Sequence, residues 1–233
     1  MPSTTDAGRR TDAPHLDPRA GHRYNPCIPE RNPVSAQLRR HSSNDPRLIF
    51  FQAFLKRPRE VASIVPSSRF LMRRAVRTAH LESARVVVEL GPGTGGTTRA
   101  LLRGMADEAR LVAIEINPRL VRTIEATIRD PRLTVHHGSA ADIAPILEHH
   151  DLGAADVILS GIPFSTMDRA TGIAILQAAH DALAPGGRFV AYQMRDRVEQ
   201  LARRVFGPGT VQTELRNVPP MRVYCWRKPV LDL

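Results

Sequence analysis

The feature that most constrains this chain is an apolar run that ends in a glycine-rich turn, Val86-Val-Val-Glu-Leu-Gly-Pro-Gly-Thr-Gly95. The run predicts a buried strand, and the residues that follow from Gly96 predict a helix. Glycines at such a turn let the backbone approach a ligand closely. The pattern therefore predicts a ligand-binding turn between the first strand and the first helix of an α/β domain.

Apolar strands and helical segments continue to alternate after this turn, which predicts a mostly parallel sheet with helices on both faces. The predicted strands cover residues 85–90, 111–116, 133–136, 156–160 and 188–193, and the helices cover 96–105, 118–128 and 168–184. Near the end, residues 210–216 and 222–227 flank Asn217-Val-Pro-Pro220, which predicts two strands joined by a turn. We expect a Rossmann-like α/β fold with an antiparallel C-terminal strand.

The chain divides into three parts by composition. Residues 1–46 are rich in Pro, Arg, Asp, Ser and Asn and poor in apolar residues, which predicts a disordered tail. Residues 47–82 are expected to form amphipathic and basic helices, and residues 83–233 a single catalytic domain.

An amphipathic pattern covers residues 47–59, where Phe50, Phe51 and Phe54 share one face of a predicted helix. Two interpretations remain open: the helix packs on its own domain, or it lies in a lipid interface. Downstream, Pro66-Ser67-Ser68 predicts the start of a second helix. Arg69, Arg73 and Arg77 would share one face of that helix, either solvated or in contact with phosphate groups.

The formal net charge of +10 indicates an anionic partner, either nucleic acid or an acidic membrane surface. No run approaches the roughly 20 apolar residues of a transmembrane helix, so we expect a cytoplasmic chain. The amphipathic pattern of residues 47–59 would let such a chain bind membranes peripherally. Cys27 and Cys225 are too few for a disulfide framework or a metal knuckle. The doublets His136/His137 and His149/His150 lack the spacing of a helical metal pair, so no metal is expected.

The glycine pattern by itself fits two cofactors. Gly91, Gly93 and Gly96 satisfy a dinucleotide-binding spacing, with Glu115 where a ribose-binding acid belongs. Glu89, however, would place a carboxylate where a dinucleotide carries its negative pyrophosphate. S-adenosylmethionine carries a sulfonium and an ammonium group instead, so this carboxylate favours the methyl donor over a nicotinamide cofactor.

Residues 89–95 and Ala113-Ile-Glu-Ile-Asn-Pro118 resemble the first and second motifs of class I S-adenosylmethionine-dependent methyltransferases. The resemblance implies that Glu115 binds both ribose hydroxyls, a role that suits a two-oxygen acceptor. Gly138-Ser-Ala140 follows the third strand, where these enzymes contact adenine, but Ser139 stands where many carry Asp. The cofactor-binding residues implied are Ser67, Glu89, Gly91, Gly93, Thr94, Gly95, Glu115, Ile116, Ser139, Ala140 and Ser160, and the product would be S-adenosylhomocysteine.

The fourth-strand motif Leu159-Ser-Gly-Ile-Pro-Phe-Ser-Thr-Met167 bears on the substrate. The chain resembles ribosomal RNA adenine dimethyltransferases across most of the core, but those enzymes carry an Asn where this chain has Gly161. That Asn supplies a side-chain acceptor for the target amine, and a glycine offers only its backbone carbonyl.

The same motif, with residues 66–71 and 214–228, is similar to soluble-type bacterial phospholipid N-methyltransferases, which methylate phosphatidylethanolamine towards phosphatidylcholine. The resemblance implies an amine site near Gly161, Ile162 and Pro163. Phe164, whose ring would favour a cationic amine, and Tyr192 are further candidates. Asp168 is interpreted as a helix cap rather than a base.

Three functions follow. The leading hypothesis is N-methylation of a phosphatidylethanolamine headgroup at an anionic membrane surface. The alternative is N6-methylation of adenine in ribosomal RNA, which the net charge and the core permit. The third is a non-enzymatic subunit that binds the cofactor and recruits a partner to membranes. The sequence leaves the oligomeric state open.

Overall fold

The computed structural model describes residues 68–230, which form one β-sheet with helices packed around it. Ser67, the residues 47–59 with Phe50, Phe51 and Phe54, and the predicted tail lie outside the described residues. The elements in chain order are α1 Arg69–Ala79, β1 Val86–Leu90, α2 Gly96–Gly104, β2 Arg110–Glu115, α3 Pro118–Thr127, β3 Leu133–His137, α4 Ile143–His149, β4 Ala155–Ser160, α5 Arg169–Ala182, β5 Leu183–Gln193, α6 Arg197–Phe206, β6 Thr210–Glu214 and β7 Met221–Arg227. Short 3-10 turns cover Leu81–Ser83 and Phe164–Thr166.

The seven strands lie in the order β3-β2-β1-β4-β5-β7-β6. Strands β1 to β5 are parallel, and β7 runs antiparallel to both β5 and β6. The chain leaves β1 to form β2 and β3 on one side and returns to β4 on the other. This reversal places the carboxyl ends of β1 and β4 side by side, where ligands bind in open α/β sheets. The predicted Rossmann-like fold, with its antiparallel C-terminal strand, is confirmed.

Alternate residues of the strands face two apolar clusters, one on each face of the sheet. Val88 and Leu90 of β1 belong to the cluster that contains Trp226 and residues of α4, α5 and α6. Val87 belongs to the other cluster, which contains residues of α1 and α2. Burial on both faces explains why the strands read as continuous apolar runs.

Helix α1 begins where the sequence predicts, because the Ser68 hydroxyl accepts a hydrogen bond from the Leu71 N–H (3.2 Å). Leu71, Ala75 and Ala79 are buried at a spacing of four. The three arginines predicted to share a face, Arg69, Arg73 and Arg77, are exposed together on α1. No helix within residues 68–230 is long and apolar enough to cross a membrane.

Two helices were not predicted from the sequence. Helix α4 is only seven residues long, and α6 carries arginine-rich sequence in which Val198, Leu201 and Ala202 are the buried residues. Helix α4 is held by contacts with the core, because a helix this short is marginal alone. Helix α6 is strongly amphipathic, with these apolar residues buried and Arg203 and Arg204 exposed, so the sequence carried a signal for it that was missed.

Candidate functional site

The glycine turn sits at the carboxyl end of β1 in the conformation that glycine allows. Gly91 and Gly95 have φ values of 71° and 82°, in the left-handed region that side chains disfavour. A Cβ atom on Gly91 would lie 3.1 Å from the Ile162 side chain, and one on Gly95 would lie 2.7 Å from Ile128. The turn therefore needs glycine both for its backbone angles and for its close approach to the residues after β4 and after α3.

Glu89 is buried at the end of β1, next to this turn. One oxygen, Oε2, accepts a hydrogen bond from the Thr98 hydroxyl (2.6 Å) at the start of α2. The other, Oε1, has no hydrogen-bond partner among the described residues. Burial, followed by the charge of Glu115, raises the pKa of Glu89 to about 8, although the Thr98 hydrogen bond opposes the shift. A buried carboxyl with one unpaired oxygen is a site for a cationic hydrogen-bond donor.

Glu115 is buried at the end of β2, beside the same turn. Its Oε1 accepts from the Asn117 N–H (2.9 Å), and its Oε2 accepts from the Gly93 N–H (3.2 Å). Burial raises the pKa of Glu115, and the backbone hydrogen bonds oppose the rise. The Gly93 N–H is one of the donors that a dinucleotide site would direct at pyrophosphate. Its use by Glu115 adds to the argument against a nicotinamide cofactor.

A cleft opens beside Gly91 and Glu115 and is walled largely by apolar side chains. Five of the predicted cofactor residues line it: Gly91, Glu115, Ile116, Ser139 and Ala140. Sequence reasoning missed the wall supplied by α5, since nothing local shows which helix covers the cleft. The missed lining residues are Ile114, Ala141, Thr171, Ala174 and Ile175, while Gly138 of the adenine motif and Ile162, predicted for the amine site, also line the cleft.

The cleft and the two carboxyls fit S-adenosylmethionine. An apolar slot suits an adenine ring, Glu115 offers paired oxygens to ribose hydroxyls, and the unpaired oxygen of Glu89 suits an ammonium group. Thr94 is exposed on the turn, and the roles predicted for Thr94 and Gly95 stay predictions. Ser160 is fully buried, and its hydroxyl accepts from the Ile162 N–H (3.3 Å), so it shapes the loop after β4.

Gly161 and Tyr192 meet at the edge of the sheet, next to the glycine turn. A Cβ atom on Gly161 would lie 2.5 Å from the Tyr192 hydroxyl and 3.1 Å from the Gly91 carbonyl oxygen. The Tyr192 hydroxyl also lies 3.2 Å from the Thr97 hydroxyl of α2. The sequence named Gly161 and Tyr192 separately, and the structure shows that the phenol fills the space of a side chain at position 161.

Other candidates after β4 lie deeper. Phe164 is completely buried in the cluster that contains Trp226, so its predicted contact with an amine stays a prediction. Ile162 is buried, and Pro163 is half-buried. Gln193, which sequence reasoning missed, is buried and donates from Nε2 to the Ile162 carbonyl (2.6 Å). This bond ties the loop after β4 to the end of β5.

The histidine doublets come together in space. His136 Nδ1 lies 3.1 Å from His150 Nε2, and the ring of His149 contacts both. Burial, followed by the neighbouring imidazoles, lowers the pKa of His136 and favours its neutral form. Within residues 68–230, no group of three or more His, Cys, Asp or Glu residues is arranged to hold a metal ion.

Comparison with known proteins agrees with this geometry. A methyltransferase-domain family model matches residues 87–187. An ornithine lipid N-methyltransferase from Singulisphaera acidiphila is 32% identical over 181 residues, which cover 77% of this chain and 94% of that enzyme. Ribosomal RNA small subunit methyltransferase A from Leifsonia xyli subsp. xyli is 40% identical, but over only 33% of this chain and 29% of its own length.

A solved structure shows the same fold. The O-methyltransferase from Bacillus cereus, crystallised with S-adenosylhomocysteine, superposes with a TM-score of 0.56 at 17% identity and covers 83% of this chain and 96% of its own. At that identity the likeness concerns the fold alone. The lipid enzyme combines 32% identity with similarity over 94% of its length, whereas the ribosomal RNA enzyme matches over 29% of its length.

Proposed function

This chain belongs to the class I S-adenosylmethionine-dependent methyltransferases, and we propose that it N-methylates the ethanolamine headgroup of phosphatidylethanolamine, towards phosphatidylcholine, at the inner face of the cell membrane. The observation that carries the proposal is the environment of Gly161. The space beside its Cα is filled by the Tyr192 hydroxyl and the Gly91 carbonyl oxygen. A flexible alkylamine can approach such a surface end-on.

A planar adenine needs a different surface. Enzymes that methylate adenine N6 hold the flipped base by hydrogen bonds to its edge. At position 161 a side-chain acceptor would clash with Tyr192. The near full-length similarity to an ornithine lipid N-methyltransferase supports an amine on a lipid as the substrate. The similarity to the ribosomal RNA enzyme, in contrast, covers only a third of this chain.

The bound cofactor would supply an electrophilic methyl group on a sulfonium and leave as a neutral thioether. Glu89 and Glu115 would hold its cationic and ribose ends, with the apolar cleft around the adenine. In-line displacement needs the nitrogen lone pair behind the methyl carbon, so positioning carries most of the rate. The ammonium form must give a proton to solvent before the neutral amine attacks, and the attack leaves the positive charge on the methylated nitrogen.

Gly161 and Tyr192, at the carboxyl ends of β4 and β5, supply the polar groups that would face the methyl-accepting amine. The Gly161 carbonyl would accept an N–H of the amine and orient its lone pair. The Tyr192 hydroxyl, which lies within hydrogen-bonding distance of Thr97, would contact the nitrogen as its proton leaves. Ser160 and Gln193 would hold the loop in place through Ile162.

The test is methyl transfer from labelled S-adenosylmethionine to three acceptors in parallel: phosphatidylethanolamine vesicles, ornithine lipid vesicles and ribosomal RNA. We expect label in phosphatidylethanolamine. Label in RNA alone would overturn lipid methylation, and label in ornithine lipid alone would move the substrate to that headgroup.

Variants of the two residues proposed to contact the amine, Gly161 and Tyr192, sharpen this test. Gly161→Ala should lower kcat on the lipid by about 100-fold, because its Cβ meets the Tyr192 hydroxyl. Gly161→Ala with Tyr192→Phe should recover part of that loss, since the phenol oxygen is gone. Cofactor affinity should stay near wild type in both variants.

A further inference from the structure

The turn between β6 and β7 reverses the usual placement of polar and apolar side chains. Leu215 and Val218 are 73% and 81% exposed, whereas their neighbours Glu214 and Asn217 are buried. Single exposed apolar residues are ordinary on protein surfaces. Two on one turn, with the adjacent glutamate and asparagine turned inward, point to a surface that is covered by something apolar. We refer to residues 215–218 as the apolar tip, after the exposed side chains of Leu215 and Val218.

Buried polar contacts fix the apolar tip in this orientation. Glu214 Oε2 pairs with Arg74 Nε of α1 (2.9 Å). The Asn217 side chain accepts from the Ser68 N–H (3.0 Å) and donates to the Pro219 carbonyl (2.8 Å). Turning Leu215 or Val218 inward would break these bonds and leave polar groups unpaired, which is costly. The exposure is therefore built into the contacts with α1.

The apolar tip lies at the same edge of the sheet as the glycine turn. Gln193, at the carboxyl end of β5, pairs with Arg222 near the start of β7, and Met221 pairs with Glu214. Because β5 is parallel to β4 and β1, the turn between β6 and β7 projects from their carboxyl edge. Whatever covers the tip therefore faces the catalytic edge.

Exposed arginines lie within the tip and beside it. The Arg216 side chain is 65% exposed, and its guanidinium lies 4.4 Å from the centre of the Phe70 ring. The Arg69 guanidinium lies 4.9 Å from the centre of the same ring. Arg73 and Arg77 follow Arg69 along the exposed face of α1. Apolar side chains among basic ones are typical of surfaces that enter the interface of an anionic bilayer. A nucleic acid would engage the arginines but gain little from the exposed leucine and valine.

We propose that the apolar tip inserts into the interface of an anionic phospholipid membrane. Leu215 and Val218 enter the acyl boundary, and Arg216 and Arg69 contact lipid phosphates. The inference rests on the proposed lipid substrate and deepens it, because it assigns a membrane contact outside the N-terminal segment. Docking by the tip turns the edge that holds Gly161 and Tyr192 towards the lipid headgroups.

The first test compares vesicle binding of the full chain and two variants. The double substitution Leu215→Glu/Val218→Glu is matched by Val230→Glu, an exposed valine beyond the far end of β7 (58% exposed). On phosphatidylcholine vesicles with 30% phosphatidylglycerol, we expect partitioning of the double variant to fall at least ~10-fold, and that of Val230→Glu to change less than ~2-fold. Equal binding of the double variant and the wild type would overturn the proposal.

A second measurement keeps the tip apolar and so avoids doubts about folding. Leu215→Trp should be quenched by lipids brominated on their acyl chains, while the buried Trp226 serves as an internal reference. Val230→Trp is the matched control and should stay unquenched. A membrane-bound Leu215→Trp protein without quenching would also overturn the proposal.

Activity separates this proposal from the proposed function. The double variant should methylate short-chain phosphatidylethanolamine, dissolved below its micelle concentration, at the wild-type rate, but lose activity on vesicles. If the wild type methylates neither form, the lipid substrate is wrong, whatever the vesicle binding. If the double variant matches the wild type on both forms, only the apolar tip is refuted.

Discussion

Two buried glutamates close to one edge of the sheet show how differently a fold can treat the same side chain. Glu89 is buried with one oxygen unpaired, and its pKa is raised to about 8 by burial and then by Glu115. Glu214 is also hardly exposed, but it lies at the end of the outermost strand, β6, where hydrogen bonds from the Arg216 N–H and the Arg74 side chain lower its pKa to about 2. The charge of each carboxyl therefore depends both on how deep it lies and on the partners it finds.

The comparison separates a structural carboxylate from one that waits for a ligand. Glu214 has its compensating arginines within the chain, so it fastens the turn between β6 and β7 to α1. Glu89 lacks such a partner among the described residues, and the cationic end of the cofactor would supply one. If this assignment holds, neutralising the two glutamates should have opposite consequences.

The largest expected effect is on cofactor binding. Glu89→Gln should weaken binding of S-adenosylmethionine by about 1000-fold, roughly 4 kcal/mol, because a buried cation would lose its charge partner. Glu214→Gln is the matched control and should leave the affinity unchanged. Titration calorimetry measures both, and a Glu89→Gln protein that binds like the wild type would remove the basis of the comparison.

The second effect is on the stability of the cofactor-free protein. Because the folded pKa of Glu89 lies above its ordinary value, its ionisation destabilises the fold as pH rises from about 4.5 to about 8. Glu89→Gln lacks this loss, so at pH 8 its free energy of unfolding should exceed that of the wild type by about 4 kcal/mol. Urea denaturation at pH 5 and pH 8 checks this, and a gain of equal size at both values would argue against the raised pKa.

The third effect is a proton released when the cofactor binds. Below pH 7 the Glu89 carboxyl is protonated without ligand, and pairing with an ammonium favours the ionised form. Affinity should therefore rise by up to about tenfold per pH unit between pH 6 and 7. Calorimetry in buffers of different ionisation enthalpy counts the proton. Release that persists in Glu89→Gln would assign it to another group.

The smallest effect concerns Glu214. Its lowered pKa stabilises the fold above about pH 4.5, and this contribution is lost as pH falls towards 2. Glu214→Gln should lower Tm by a few degrees at pH 7, and the difference from the wild type should shrink in acid. Thermal denaturation between pH 3 and 7 measures it. A constant difference across this range would show that the loss comes from packing rather than from charge.

The sequence predicted much of the cofactor side because the relevant signals are local. Glu89 and Glu115 each stand at the end of an apolar strand, and the carboxyl ends of parallel strands share one edge. Chain direction and alternation thus suffice to make the two acids neighbours. The wall of the cleft formed by Ala174 and Ile175 on α5 was missed, because helix packing across a sheet leaves no local mark.

By itself, the sequence determined where the strands lie along the chain, the glycine turn and the acids beside it, since each depends on short-range periodicity and backbone sterics. The order of the strands in the sheet came from the tertiary structure. Only the tertiary structure decided that Tyr192 fills the space beside Gly161, and that Glu214 and Asn217 turn inward while Leu215 and Val218 face out. Those choices depend on partners far away in the chain, such as Arg74 and Ser68. A buried polar group goes where its hydrogen bonds are met, and only the folded chain brings the partners there.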